Sequence, residues 1–224
     1  INYVPNEKEI SLKLLVDFYE QYLCRRIFIF TLKNGEVVKL FFKDASEIYH
    51  ISGIDHIYDG IPMDGSRFLK EIQSGKMELE TVEKVNAVAY TDYIDRIRSM
   101  FCIDTIIKNC EYLYYSDGKI PESNIKVTYL LLKGLDGKSL HLGIDTYRKG
   151  RPYFTRTLLV TEGNNAMKFV NKADEKLKVT KLEICDKDTN EVVETVKREE
   201  AVVVVRKLVD EITEKWIQTE FEEN

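Results

Sequence analysis

Two of the chain's three histidines fall within the stretch YHISGIDHI at 49–57. An imidazole can take up or release a proton near neutral pH. A zinc pair on a helix wants its ligands four apart on one face. His50 and His56 are six apart, Gly53 lies between them, and no third ligand is close in sequence. Proton transfer is therefore the chemistry to test for His50, against the ordinary alternative of a hydrogen-bonding side chain at a helix end. His56 reads as a bystander.

The second candidate stretch is YRKGRPYFTRT at 147–157, in which Arg148, Lys149, Arg151 and Arg156 occur with no acid, among Tyr147, Tyr153 and Phe154. Guanidinium forks match phosphate oxygens, a threonine hydroxyl can donate to them, and aromatic faces stack on unpaired bases. The same cations would also suit the solvated turn of a hairpin.

Cleaving an RNA phosphodiester without a metal needs a base for the 2′-hydroxyl, an acid for the leaving oxygen, and donors for the phosphoryl charge. His50, Arg156 and Thr157 are the catalytic candidates for that chemistry. Arg148, Lys149 and Tyr153 are the substrate-binding candidates. Neither a metal nor a cofactor is expected. Because many surfaces carry such residues, a small-nucleotide phosphoesterase and a non-catalytic binding protein remain open from the residues alone. There is no G-x-S-x-G elbow and no Walker lysine loop.

The net charge of −5 argues against a non-specific nucleic-acid coat and leaves room for a local basic strip. Four widely spaced cysteines, none in a C-x-x-C pair, read as reduced and mostly buried thiols. The longest apolar run near the C-terminus, AVVVV at 201–205, is far too short to span a bilayer, and no leader pattern opens the chain. The expected setting is the cytoplasm.

The elements that must position these residues follow from periodicity. EKEISLKLLVDFYEQYLC (7–24) has an apolar helical stripe, and the next segment turns to strands around Asn34-Gly35, a hairpin signal. DASEIYHISGI reads as a short helix capped by Asp44 or Ser46 and stopped by Gly53, which puts His50 on its last turn. DGSRFLKEIQSGK and the long pattern at 86–110 are further helices. Four β-rich runs follow, separated by Asp-Gly at 117–118 and 136–137 and Lys-Gly at 149–150. Two more strands precede a helix expected over roughly 199–220. The predicted fold is α+β: N-terminal helices packed on a small antiparallel β-meander, with a C-terminal β-hairpin and closing helix. The predicted division is a nuclease-type domain at 1–162 and an extension at 163–224 packed on the same core.

FFKDASEIYHISGI, FLKEIQSGKMELETVEK, DRIRSMFCIDTII, TYLLLKGLDGKSLHLGI and YFTRTLLV occur in that order between about 27 and 160. This series resembles a phage-borne family of nucleases grouped with barnase, EndoU, colicin E5/D and RelE toxins. The resemblance implies helices on one face of a small antiparallel sheet, with His50 as acid or base and Arg156 and Thr157 contacting phosphate. Arg96 would be a site residue or a helix-surface ion-pair former. It implies a metal-independent endoribonuclease of phage or mobile-element origin, toxin-like, acting on single-stranded RNA or tRNA. An immunity or other partner protein would accompany it. The alternative under the same resemblance is a non-catalytic interaction protein of a mobile element. Thr155 stands where the family tends to have proline, and Leu158-Leu159 where it has paired phenylalanines.

Overall fold

The computed structural model describes residues 3–116, 126–148 and 150–198. Ser11 accepts from the Leu14 amide and starts α1 (Leu12–Phe18), which widens into a π turn through Leu23. Its apolar stripe buries Leu12, Leu15, Val16, Tyr19 and Leu23. β1 (Arg26–Leu32) and β2 (Val37–Phe41) pair antiparallel across the turn predicted at Asn34-Gly35, where Gly35 has φ +87°.

Two short helices, α2 (Ile48–Ile51) and α3 (Ile54–Ile57), follow, then α4 (Gly65–Gln73) and α5 (Leu79–Val85). The long helical pattern at 86–110 is broken in two. α6 (Ala87–Ser99) passes through a tighter turn at Met100–Cys102 into α7 (Ile103–Asn109). At the break the Ser99 hydroxyl donates back to the Asp95 carbonyl at 2.7 Å, competing with the helix ladder. The strands after it are β3 (Tyr112–Tyr115), β4 (Tyr129–Leu135), β5 (Lys138–Asp145), β6 (Tyr153–Glu162), β7 (Glu175–Asp186) and β8 (Val192–Lys197).

The α+β composition holds, but the sheet is not a small open meander. The strands run β1-β2-β6-β5-β4-β3-β7, and β7 pairs back onto β1, so seven strands close into a barrel, with β8 added on β7. Two pairings make the closure. β7 lies beside β3 along Glu175–Lys178 and beside β1 along Val179–Asp186. β2 meets β6 in a short parallel contact, Leu40 with Tyr153 and Phe41 with Phe154. Periodicity reports that a strand exists but not which distant strand it pairs with, so neither contact could be read from the sequence. The expected C-terminal hairpin, β7–β8, is thus partly a wall of the barrel. The predicted closing helix at 199–220 lies outside the described residues.

Strand alternation sorts the two faces of the sheet. Phe28, Phe30, Leu40, Leu113, Leu131, Leu142, Leu158 and Leu182 join α1, α4, α6 and α7 in one continuous core. On the opposite face of β3 and β4, Tyr114 and Leu130 form a smaller cluster with Val170 and Phe169.

Candidate active site

β2 leaves β6 after Phe41, and the helical segment that follows returns to cover the outer face of β6. Between them is a cleft of about 820 Å3. His50, Asp55 and His56 line it from the α2–α3 turn, Tyr93 and Arg96 from α6, and Arg156 and Thr157 from β6.

The α2–α3 turn starts at Asp44, whose carboxylate caps Ser46 at 2.9 Å, and it folds back at Gly53. Gly53 has φ +81°, and a Cβ there would sit 2.4 Å from Tyr93 Cδ1 and 3.1 Å from Arg96 Nη1. Glycine therefore supplies both the left-handed backbone and the close approach to α6. The reversal brings Asp55 back to His50, with His50 Nδ1 2.9 Å from Asp55 Oδ2. Asp55 Oδ1 is 3.9 Å from His56 Nε2, so one carboxylate stands between two imidazoles. His56 in turn stacks on Tyr93, with ring centroids 5.1 Å apart.

On β6 the register with β5 slips by one residue. Thr157 is opposite Gly143 and Thr155 is opposite Ile144, leaving Arg156 as the extra residue of a β-bulge. In an unbroken strand Thr155 and Thr157 would share a face. Here Thr155 is buried opposite Ile144, and the slip lets Arg156 reach the cleft together with Thr155 and Thr157 on either side of it. Gly143 makes room for this, since a Cβ on it would lie 2.9 Å from Thr157 Cγ2.

Arg96 ties the two halves together. Its Nε donates to the Ile51 carbonyl at 2.8 Å, and its Nη2 donates to the His50 carbonyl at 3.2 Å and to Thr157 Oγ1 at 2.8 Å. Burial pulls its pKa down, opposed by the neighbouring Asp55. Because Thr157 Oγ1 accepts from Arg96, its own proton is left for a ligand. Lys43, Arg96, Lys126 and Arg156 face Glu47 and Asp55 around the cleft, four cations against two carboxylates on an acidic chain. Glu47 is engaged inside, accepting from the Tyr19 hydroxyl at 2.9 Å.

Three of the sequence candidates, His50, Arg156 and Thr157, thus line one cleft. Arg148 is exposed on the β5–β6 turn and does not line it, Tyr153 faces a second cavity, and Lys149 lies outside the described residues. His56, read from the sequence as a bystander, lines the cleft. Asp55, Lys43, Lys126 and Tyr93 were not anticipated. For Asp55 a signal existed, an acid shortly after a histidine with a glycine reversal between. His141 is fully buried elsewhere, with Nε2 3.0 Å from Thr161 Oγ1.

The family described as phage-Barnase-EndoU-ColicinE5/D-RelE like nuclease4 matches residues 12–223. The chain belongs to this nuclease family. No curated protein and no solved structure matches it. The family match runs well past the 27–160 stretch that carried the resemblance, across β7 and β8. Membership in a phage-type nuclease family points to a nucleic-acid substrate. Among the described residues no helix is long and apolar enough to cross a membrane.

Proposed function

We propose that this nuclease is an endoribonuclease that cuts by attack of a 2′-hydroxyl on the adjacent phosphodiester, using the cleft between β6 and the α2–α3 turn. His50 takes the 2′-hydroxyl proton, and Asp55 holds the imidazole by its Nδ1 so that Nε2 faces the substrate. The 2′-oxygen bonds to phosphorus as the bond to the 5′-oxygen breaks. His56 gives that oxygen its proton, leaving a 2′,3′-cyclic phosphate and a 5′-hydroxyl. Arg156 and the Thr157 hydroxyl bind the phosphoryl oxygens, with Arg96 holding Thr157 in place. Tyr147, exposed at the cleft and backed by Phe154, offers a ring face to an unpaired base beside the phosphate.

The observation that carries this reading is the meeting of His50, Arg156 and Thr157 in one cleft with an excess of cations. Cytoplasmic action fits the four free cysteines. The test is cleavage of single-stranded RNA and tRNA by purified protein in excess EDTA. Cleavage should persist with chelator, fail on RNA carrying 2′-deoxy residues, and fall by about a thousandfold in His50→Ala. Activity that disappears with EDTA, or that survives His50→Ala, refutes the mechanism.

A further inference from the structure

A second cavity, of about 890 Å3, opens at one end of the barrel. Side chains from β2, β3, β4, β6 and β7 all line it. Five of the seven staves can share one cavity only at the mouth of the closed ring, a place where barrels commonly take ligands. Three tyrosines dominate the wall. Tyr129 is buried, and its ring centroid lies 5.7 Å from Tyr115 and 5.4 Å from Tyr153, both half-buried and tilted against it. The Tyr129 hydroxyl donates to Glu36 Oε1 at 2.8 Å, across the opening. Glu175, Lys39 and Arg151 complete the rim.

Rings at the wall with carboxylates and cations at the edge suit a planar heterocycle bearing amino groups and an attached phosphate. A purely apolar ligand would make no use of the exposed charges at the rim, Glu36, Lys39, Arg151 and Glu175. The mouth is also next to the cleft. Tyr153 and Phe154 are consecutive on β6, and alternation sends them to opposite faces, Tyr153 to the mouth and Phe154 to the cleft. The β5–β6 turn between the two cavities carries Arg148 and Arg151, both exposed. On the cleft side of that turn Tyr147 stacks on Phe154 at 4.5 Å.

We propose that the mouth of the barrel is a second nucleotide site, where an unpaired base of the RNA strand held in the cleft stacks on Tyr115 and Tyr153. Its edge faces Glu36 and Glu175, and the strand crosses the basic β5–β6 turn between the sites. This rests on the nuclease reading for the identity of the strand but not for the existence of the site. It gives Tyr153 a base-stacking task at a distance from the chemistry.

The test uses the full chain and two probes. One is a short single-stranded oligoribonucleotide containing 2-aminopurine and 2′-O-methylated throughout, which cannot be cut by 2′-oxygen attack. The other is 2-aminopurine ribonucleoside monophosphate. Stacking should quench the strand's fluorescence, and Tyr153→Ala or Tyr115→Ala should weaken strand binding about tenfold and remove the quench. Tyr153→Phe, which keeps the ring, should retain both, and circular dichroism of each variant reports its folding. Wild-type affinity and quenching in folded Tyr115→Ala and Tyr153→Ala overturn the proposal. Quenching of the monophosphate without quenching of the strand overturns the strand as the source of the base. If His50→Ala still cleaves while the tyrosine variants lose the quench, the cleavage mechanism falls and the mouth site stands. If His50→Ala is dead and the tyrosine variants bind normally, the mouth site alone falls.

Discussion

Replacing Arg96 should open the site before it does anything else. Its guanidinium holds two carbonyls of the α2–α3 turn, those of His50 and Ile51, and the hydroxyl of Thr157 on β6. Hydrogen bonds from a charged donor contribute about 1.5–3 kcal/mol each when buried and less when water can replace them. Arg96 is half-buried, so the low end applies, and two well-formed bonds at 2.8 Å with one longer at 3.2 Å amount to about 3 kcal/mol. That is more than about a hundredfold in the unfolding equilibrium. Urea unfolding of Arg96→Ala should show this loss at an unchanged slope, and Arg96→Lys should recover only a minor part, because one ammonium cannot span three acceptors in the fork geometry. A double-mutant cycle with Thr157→Val isolates the link between helix and strand and should give a coupling of about 1 kcal/mol. Coincident unfolding curves for wild type and Arg96→Ala, or full recovery by lysine, would show that Arg96 does not join the two halves of the cleft.

Other consequences can be measured separately. Gly53→Ala puts a β-carbon where Tyr93 now lies and imposes left-handed backbone on an ordinary residue, so thermal unfolding should show a loss of about 2 kcal/mol. Asp55→Asn keeps the shape but loses the charge that orients His50. Its kcat should fall at least about tenfold with KM little changed, and an unaltered kcat would remove Asp55 from the mechanism. Burial lowers the His141 pKa to about 4, below the unfolded value of about 6.5. Between those values the unfolded chain binds the extra proton. Stability is therefore fully present above about pH 6.5 and falls as pH drops toward 4, by about 3 kcal/mol in all. His141→Gln, which cannot titrate, should flatten that part of the urea-unfolding profile. A wild-type slope in the variant would place the titration elsewhere.

The local elements were legible because their determinants are local. The apolar stripe of α1 with Ser11 before it, the Asn34-Gly35 hairpin, and the Asp44-to-Gly53 limits around α2 each combine a period with a cap or a turn residue. The β4–β5 turn is the clearest case. Asp136 and Gly137 both adopt positive φ, +50° and +74°, as a two-residue hairpin of that composition requires. His50 was legible for the same reason, as a histidine placed at the end of a short helix by the glycine after it.

Barrel closure and the make-up of the cleft were decided only in three dimensions. β1 meets β7 across more than half the chain, and nothing in either strand's alternation encodes that partner. Arg156 and Thr157 are adjacent residues that alternation would send to opposite faces; the slip against Gly143 and Ile144 puts both in the cleft. For Arg96 the sequence left two readings, a site residue or a helix-surface ion-pair former, and packing of α6 over the α2–α3 turn is what brings its guanidinium to the cleft. A hydrogen-bond ladder is sequence-blind along its length, and a bulge or a crossing helix is selected by the fit of distant side chains. The residue types able to do the chemistry were therefore written in the linear chain, while their meeting in one cleft was settled by packing.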